Sequence, residues 1–80
     1  MKRQQLMANV MATLRSVAPE VNENELVADQ PLRDQVDLDS MDWLNFLIGL
    51  HEKLKIEIPE PDYARLRTLD DLLDYLGKKI

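Results

Sequence analysis

Apolar positions fall into three helical runs separated by two less regular stretches. From about Lys2 to Val17, Leu6, Val10, Leu14 and Val17 recur at helical spacing, with Met7 and Met11 alongside and Lys2, Arg3, Asn9 and Arg15 elsewhere. That spacing predicts an amphipathic helix whose methionines fill gaps in a core. It must end before Pro19, which disfavours helical geometry at the preceding residue and has no N–H to donate. From Pro19 to Asp39 no period is sustained, but Val21, Leu26, Val27, Leu32, Val36 and Leu38 are expected to pin this long loop against the helices.

A second helix is predicted from about Ser40 to Lys55. Asp39 can cap it by accepting a first-turn N–H, and Asp42 falls at the third helical position, where negative charge suits the dipole. The apolar residues of this run are too many for one stripe. At about 100° per residue, with Phe46 at zero, Leu50, Trp43, Leu54 and Leu47 span roughly 0–100°, an ordinary core face. Met41, Leu44 and Ile48 lie near 160–220°, bordered by Asn45 and Glu52, with Ser40 at about 120°. Two roles stay open for this second strip: packing beneath the long loop, or facing a partner. Gly49, inside the helix, either permits a close approach or has no special part.

The alternation in Lys55-Ile56-Glu57-Ile58-Pro59 has no partner strand, so it is read as an extended connector whose isoleucines reach the core. Pro59 and Pro61 bracket a turn, and Asp62 to Arg67 can form a short helical segment with Tyr63 and Leu66 inward. Thr68 and Asp71 form an approximate capping box for a last helix, buried through Leu69, Leu72, Leu73 and Leu76. Gly77, with Lys78 and Lys79 after it, is expected to stop that helix. The fold class is therefore all-α: a small bundle of three main helices plus one short helix, with a long loop between the first and second.

Eighty residues make one small domain, 1–80, short for an enclosed active site. Without cysteine the chain has no disulfide, thiolate metal site or cysteine nucleophile. Neither a signal peptide nor a membrane span is read, and a cytoplasmic monomer is expected. The net charge of −5 is concentrated: from Pro19 to Asp42 lie Glu20, Glu23, Glu25, Asp29, Asp34, Asp37, Asp39 and Asp42, opposed only by Arg33. Such a field argues against nucleic-acid binding and attracts basic partner surfaces toward Ser40; a solvated acidic loop is the plainer reading.

Ser40 is the candidate chemical handle, or else simply a first-turn residue. His51 is eleven residues further along the same helix, about 16 Å at a rise of ~1.5 Å per residue, which excludes a Ser–His nucleophile within one chain. It is expected to be a half-exposed residue bordering the second strip. Gly49 and Gly77 make no phosphate loop. Counted from Asp37, the sixth and twelfth positions hold Asp42 and Ile48, not the glycine and glutamate of a calcium-binding loop. Trp43, Tyr63 and Tyr75 are expected in the core or at a pocket edge. No base, nucleophile pair or metal set gathers at one point, so an enzyme is not expected.

Taken together, an opening helix, a long acidic loop, Asp39-Ser40-Met41-Asp42 starting a helix, Lys55-Ile56-Glu57-Ile58-Pro59, and a Leu-rich final helix with Asp74-Tyr75-Leu76 resemble the acyl carrier proteins, within the wider phosphopantetheine-attachment fold. The resemblance covers nearly the whole chain. It implies that a separate phosphopantetheinyl transferase joins a 4'-phosphopantetheine arm to Ser40 as a phosphodiester, and that the arm's thiol holds acyl groups as thioesters. That thiol would be the only one on the loaded protein. By position the resemblance assigns Asp39, Met41, Asp42, Leu44, Ile48 and Glu52 to partner recognition. The implied partners are the transferase and the acyl-activating and acyl-transferring enzymes of fatty-acid, polyketide or specialised lipid biosynthesis, with basic docking surfaces. An aminoacyl or peptidyl carrier would use the same arm, and an unmodified helical adaptor would dock through Met41, Leu44 and Ile48. Met41 replaces the usual leucine, Trp43 is bulkier than usual, and no glycine precedes Asp39, where fatty-acid carriers typically have one. With Asn45, His51, Lys53 and Lys55, these departures suggest a specialised carrier.

Overall fold

The structure, a computed structural model, describes residues 2–79. Three long helices, α1 (Arg3–Val17), α3 (Ser40–Leu54) and α4 (Leu69–Lys79), enclose the core, and a five-residue helix, α2 (Leu32–Val36), lies in the connection ahead of α3. Two 3-10 segments, Glu23–Glu25 and Glu60–Arg65, complete the chain, and among the described residues no strand forms beyond one isolated bridge between Pro31 and Thr68. The all-α class is as expected. The short α-helix, however, stands in the long loop, whereas the segment read at Asp62 to Arg67 is a 3-10 helix that starts two residues earlier and ends at Arg65.

α1 packs against both α3 and α4. Its side of the core is Leu6, Val10, Met11 and Leu14; α3 adds Trp43, Phe46, Leu47 and Leu50, and α4 adds Leu69, Leu72, Leu73 and Leu76. Between α1 and α3 the backbones approach closely at Gly49, where a Cβ would stand 2.8 Å from Thr13 Cγ2. Thr13 is itself buried, its hydroxyl donating to the Asn9 carbonyl at 2.9 Å. Of the two roles open to Gly49, close packing is the one the structure shows. Outside the core, Arg3 pairs with Asp70 at 3.0 Å and Asp74 at 3.1 Å, exposed contacts worth about 0–1 kcal/mol.

The long loop is held differently from expectation. Leu32 and Leu38 are buried and Val21, Leu26 and Val36 pack partly against the core, but Val27 is half exposed. A polar stitch replaces it. Gln35 accepts the Val27 N–H at 2.7 Å and donates to the Val27 and Gln30 carbonyls at 2.8 and 3.0 Å. Further on, Leu32 N–H donates to the Arg67 carbonyl at 2.8 Å and Asp70 N–H to that of Ala28 at 3.1 Å, tying the loop to the start of α4. Backbone groups of an irregular segment need partners as much as those of a helix, and these bonds supply them.

The connector behaves as read, with Ile56 and Ile58 buried. At the start of α4 the capping box is closed: Asp71 N–H donates to Thr68 Oγ1 at 3.0 Å and Thr68 N–H to Asp71 Oδ2 at 3.3 Å. Its end corrects the sequence reading, because α4 runs through Gly77 to Lys79 with ordinary helical geometry at the glycine. Gly77 lies against α1, where a Cβ would meet Leu6 Cδ1 at 3.8 Å, ordinary contact. Tyr75, half-buried on α4, donates to Asp62 Oδ2 at 2.7 Å and so fastens the second 3-10 segment. Burial, then that hydrogen bond, then the Asp62 charge push its phenol from 10.0 up to about 12, with Arg65 opposing.

Candidate functional site: the exposed start of α3

The site begins one turn before α3. Asp37 caps α2 in the left-handed region (φ 57°, ψ 48°), a conformation that asparagine, aspartate and glycine tolerate best. No glycine is present to make this turn; an aspartate makes it. Leu38 is then buried, anchoring the turn, and Asp39 returns to extended geometry as the N-cap. Its carboxylate accepts the Asp42 N–H at 2.8 Å, and its carbonyl accepts the Trp43 N–H at 3.0 Å. The cap and the α3 boundary fall as expected, except that the helix closes at Leu54 and Lys55 adopts left-handed geometry (φ 55°) after it.

Ser40 is the first residue of α3 and is exposed. Its hydroxyl lies 3.4 Å from Nη2 of Arg33, whose Nε lies 3.5 Å from the Leu38 carbonyl oxygen. His51 is exposed near the other end of the helix, where Nδ1 contacts the Ile56 carbonyl; a carbonyl only accepts, so Nδ1 carries the proton. Ser40 is thus presented without a histidine base beside it. This geometry suits a hydroxyl that another protein activates better than one that attacks on its own. Among the described residues no three His, Asp or Glu side chains gather as a metal site, and no helix is long and apolar enough to cross a membrane.

Of the two roles open to the second apolar strip of α3, packing under the loop is not the one observed. Met41 is 67 % exposed, Leu44 39 % and Ile48 41 %, whereas Phe46 and Leu50 on the opposite face are 0 %. Asp39 and Glu52 are exposed and Asp42 is half-buried, so the strip has acidic groups at both ends and Ser40 at its start. Arg33 also lines a groove of about 560 Å³, which it shares with Asp34, Asp37, Trp43, Tyr63 and Arg67. Trp43 lines it and stacks obliquely on Phe46, with ring centroids 5.2 Å apart. The sequence reading placed Trp43 and Tyr63 at a core or pocket edge but did not bring either arginine to the site. The available signal was Arg33 as the lone base among eight acids; Arg67 gave none, since the Leu32–Arg67 backbone bond that brings it near joins residues remote in sequence.

Residues 9–76 match a family model described as the phosphopantetheine attachment site. The acyl carrier protein of Kineococcus radiotolerans is 30% identical over 78 residues, which span 90% of this chain and 96% of that protein. That of Thermosynechococcus vestitus is 28% identical over 71 residues, spanning 89% and 83%. A solution structure from Anaplasma phagocytophilum, assigned as an acyl carrier protein, superposes with a TM-score of 0.82 at 26% identity, covering 98% of this chain and 91% of that one.

Proposed function

The chain belongs to the phosphopantetheine-attachment family as an acyl carrier protein, and from that premise we propose that Ser40 Oγ is the atom on which it bears 4'-phosphopantetheine. When attached, the arm supplies a thiol that holds acyl groups as thioesters. The observation that carries the assignment is the exposed hydroxyl at the first position of α3, on a helix anchored by its opposite face. The residues around it suit the group: Asp39 fixes the helix start through Asp42, leaving the Ser40 side chain outside the cap, and Arg33 offers a cation for a phosphate.

Residues 1–80 act in this reading as a single carrier domain. The chain presents the hydroxyl and then the loaded arm; it is a carrier and not a catalyst. Met41, Leu44 and Ile48 give partner enzymes an apolar contact, while Asp39, Asp42 and Glu52 attract basic side chains at its margins. The partners are a phosphopantetheinyl transferase and enzymes that load and unload acyl groups in fatty-acid, polyketide or specialised lipid synthesis. A cytoplasmic monomer meets these needs.

Intact mass tests the assignment. Incubated with coenzyme A and a broad-specificity phosphopantetheinyl transferase, the purified chain gains one phosphopantetheine and Ser40→Ala gains none. No gain on the native chain, or an equal gain on the mutant, would remove Ser40 from the site.

A further inference from the structure

We propose that Arg33 is the cation that holds the phosphodiester on Ser40, and that it turns the first part of the arm into the groove between α2 and the Glu60–Arg65 segment. The inference rests on the Ser40 assignment and adds a residue to it. Arg33 is the second residue of α2, and its carbonyl accepts the N–H groups of both Asp37 and Leu38, the latter at 3.2 Å. Its backbone is therefore fixed to the very turn that delivers Ser40.

The guanidinium is unusually placed for so acidic a region. Among the described residues the ion pairs are those of Arg3, and Arg33 has none, although Asp34, Asp37, Asp39 and Asp42 are its neighbours in sequence. Its contacts instead run to Ser40 Oγ at 3.4 Å and the Leu38 carbonyl at 3.5 Å. Both are long for N–H···O bonds, which favour about 2.7–3.2 Å. The fork can therefore move onto a stronger acceptor without giving up a strong bond. A phosphoryl group on Oγ sets its anionic oxygens two bonds beyond the atom Arg33 already approaches. Guanidinium–phosphate bonds are charge-assisted and shorten to about 2.7–2.9 Å. Without that cation, the phosphodiester would stand beside Asp37, Asp39 and Asp42 and be repelled by all three.

Direction follows from where Arg33 sits. It lines the groove rather than the Met41, Leu44, Ile48 strip, so a phosphate held by it starts the arm toward Leu38, Trp43, Tyr63 and Leu66. Phosphopantetheine begins with a gem-dimethyl group and continues through hydroxyl and amide groups, which suits a groove where those side chains alternate with the polar groups of Arg33, Arg67, Asp34 and Asp37. The recognition strip is then left uncovered for a partner.

Trp43, the only tryptophan, lines the groove and reports on the test. Native, Arg33→Gln and Arg33→Lys chains are each prepared apo and loaded with phosphopantetheine, with loading established by intact mass. Loading is expected to shift Trp43 emission in the native chain, and added salt to reverse that shift by screening the pair. Arg33→Gln loads yet loses most of the apo-to-loaded change, and its phosphorus resonance departs from the native position; Arg33→Lys restores part of both. Comparing each loaded chain with its own apo form cancels any effect of the substitution on folding. An Arg33→Gln chain that keeps the native emission change and phosphorus resonance overturns the proposal. Should that variant fail to fold, a native emission change that ignores salt overturns it as well. Absence of mass gain at Ser40 is a separate result, which removes the attachment reading and this inference with it.

Discussion

Two faces of α3 carry similar apolar side chains and meet opposite fates. Trp43, Phe46, Leu47 and Leu50 are buried against α1 and the rest of the core, while Met41, Leu44 and Ile48, on a strip whose centre lies about 140° around the same helix, face outward. The difference is one of neighbours. Gly49 lets α1 approach closely at Thr13, and among the described residues no element buries the other strip. A helix held by one face is a rigid platform for whatever its other face and its first residue do, and here the first residue is Ser40.

Breaking the buried face should have the largest effect. Phe46 is fully enclosed, and Phe46→Ala is expected to lower stability by about 3–5 kcal/mol, measured by denaturant unfolding. Next comes the close approach. Gly49→Ala improves helix propensity by about 1 kcal/mol but drives a Cβ into Thr13, and overpacking costs about 1–3 kcal/mol, so a net loss near 1 kcal/mol is expected. Thr13→Ser removes the opposing methyl while keeping the hydroxyl bonded to Asn9, and in that background Gly49→Ala should become neutral or stabilising. Loss persisting in the double mutant would mean that the steric account of this face is wrong.

The buried side also has a limit at high pH. Because the Tyr75 phenol is raised from 10.0 to about 12, the native state keeps its proton after the unfolded chain has released it. The resulting stability is present below pH 10 and is lost as the pH rises toward 12. Tyr75→Phe should remove that portion of the decline, as seen in unfolding curves of the two chains across this range. The smallest effect on stability belongs to the exposed strip: Ile48→Glu should change it by no more than about 0.5 kcal/mol, with helicity unaltered in circular dichroism.

What the chain revealed in advance divides along physical lines. α3 was legible because its cap, acidic first turn and apolar run are local, and its two stripes could be separated by angle. Whether the second stripe would pack beneath the long loop or stay exposed was not, since that depends on where the loop folds. α2 escaped notice because five residues with only Leu32 and Val36 apolar show no period; Gln35 and the bond from Leu32 to the Arg67 carbonyl hold that region in place. Gly77 was misread because a glycine near a run of lysines looks like a stop, whereas α4 continues alongside Leu6. Ser40 could be singled out as a candidate through its helix start, but Arg33 beside it required the left-handed turn at Asp37 to fold the chain back.

The most direct test of the platform is the rate at which a phosphopantetheinyl transferase loads Ser40 in Ile48→Glu compared with the native chain. Expected is a fall in kcat/KM of about tenfold, equivalent to ~1.4 kcal/mol of lost docking, in a protein that unfolds at the native denaturant concentration. Loading at the native rate, or a collapse of the fold, would contradict the separation of α3 into an anchoring face and a recognition face.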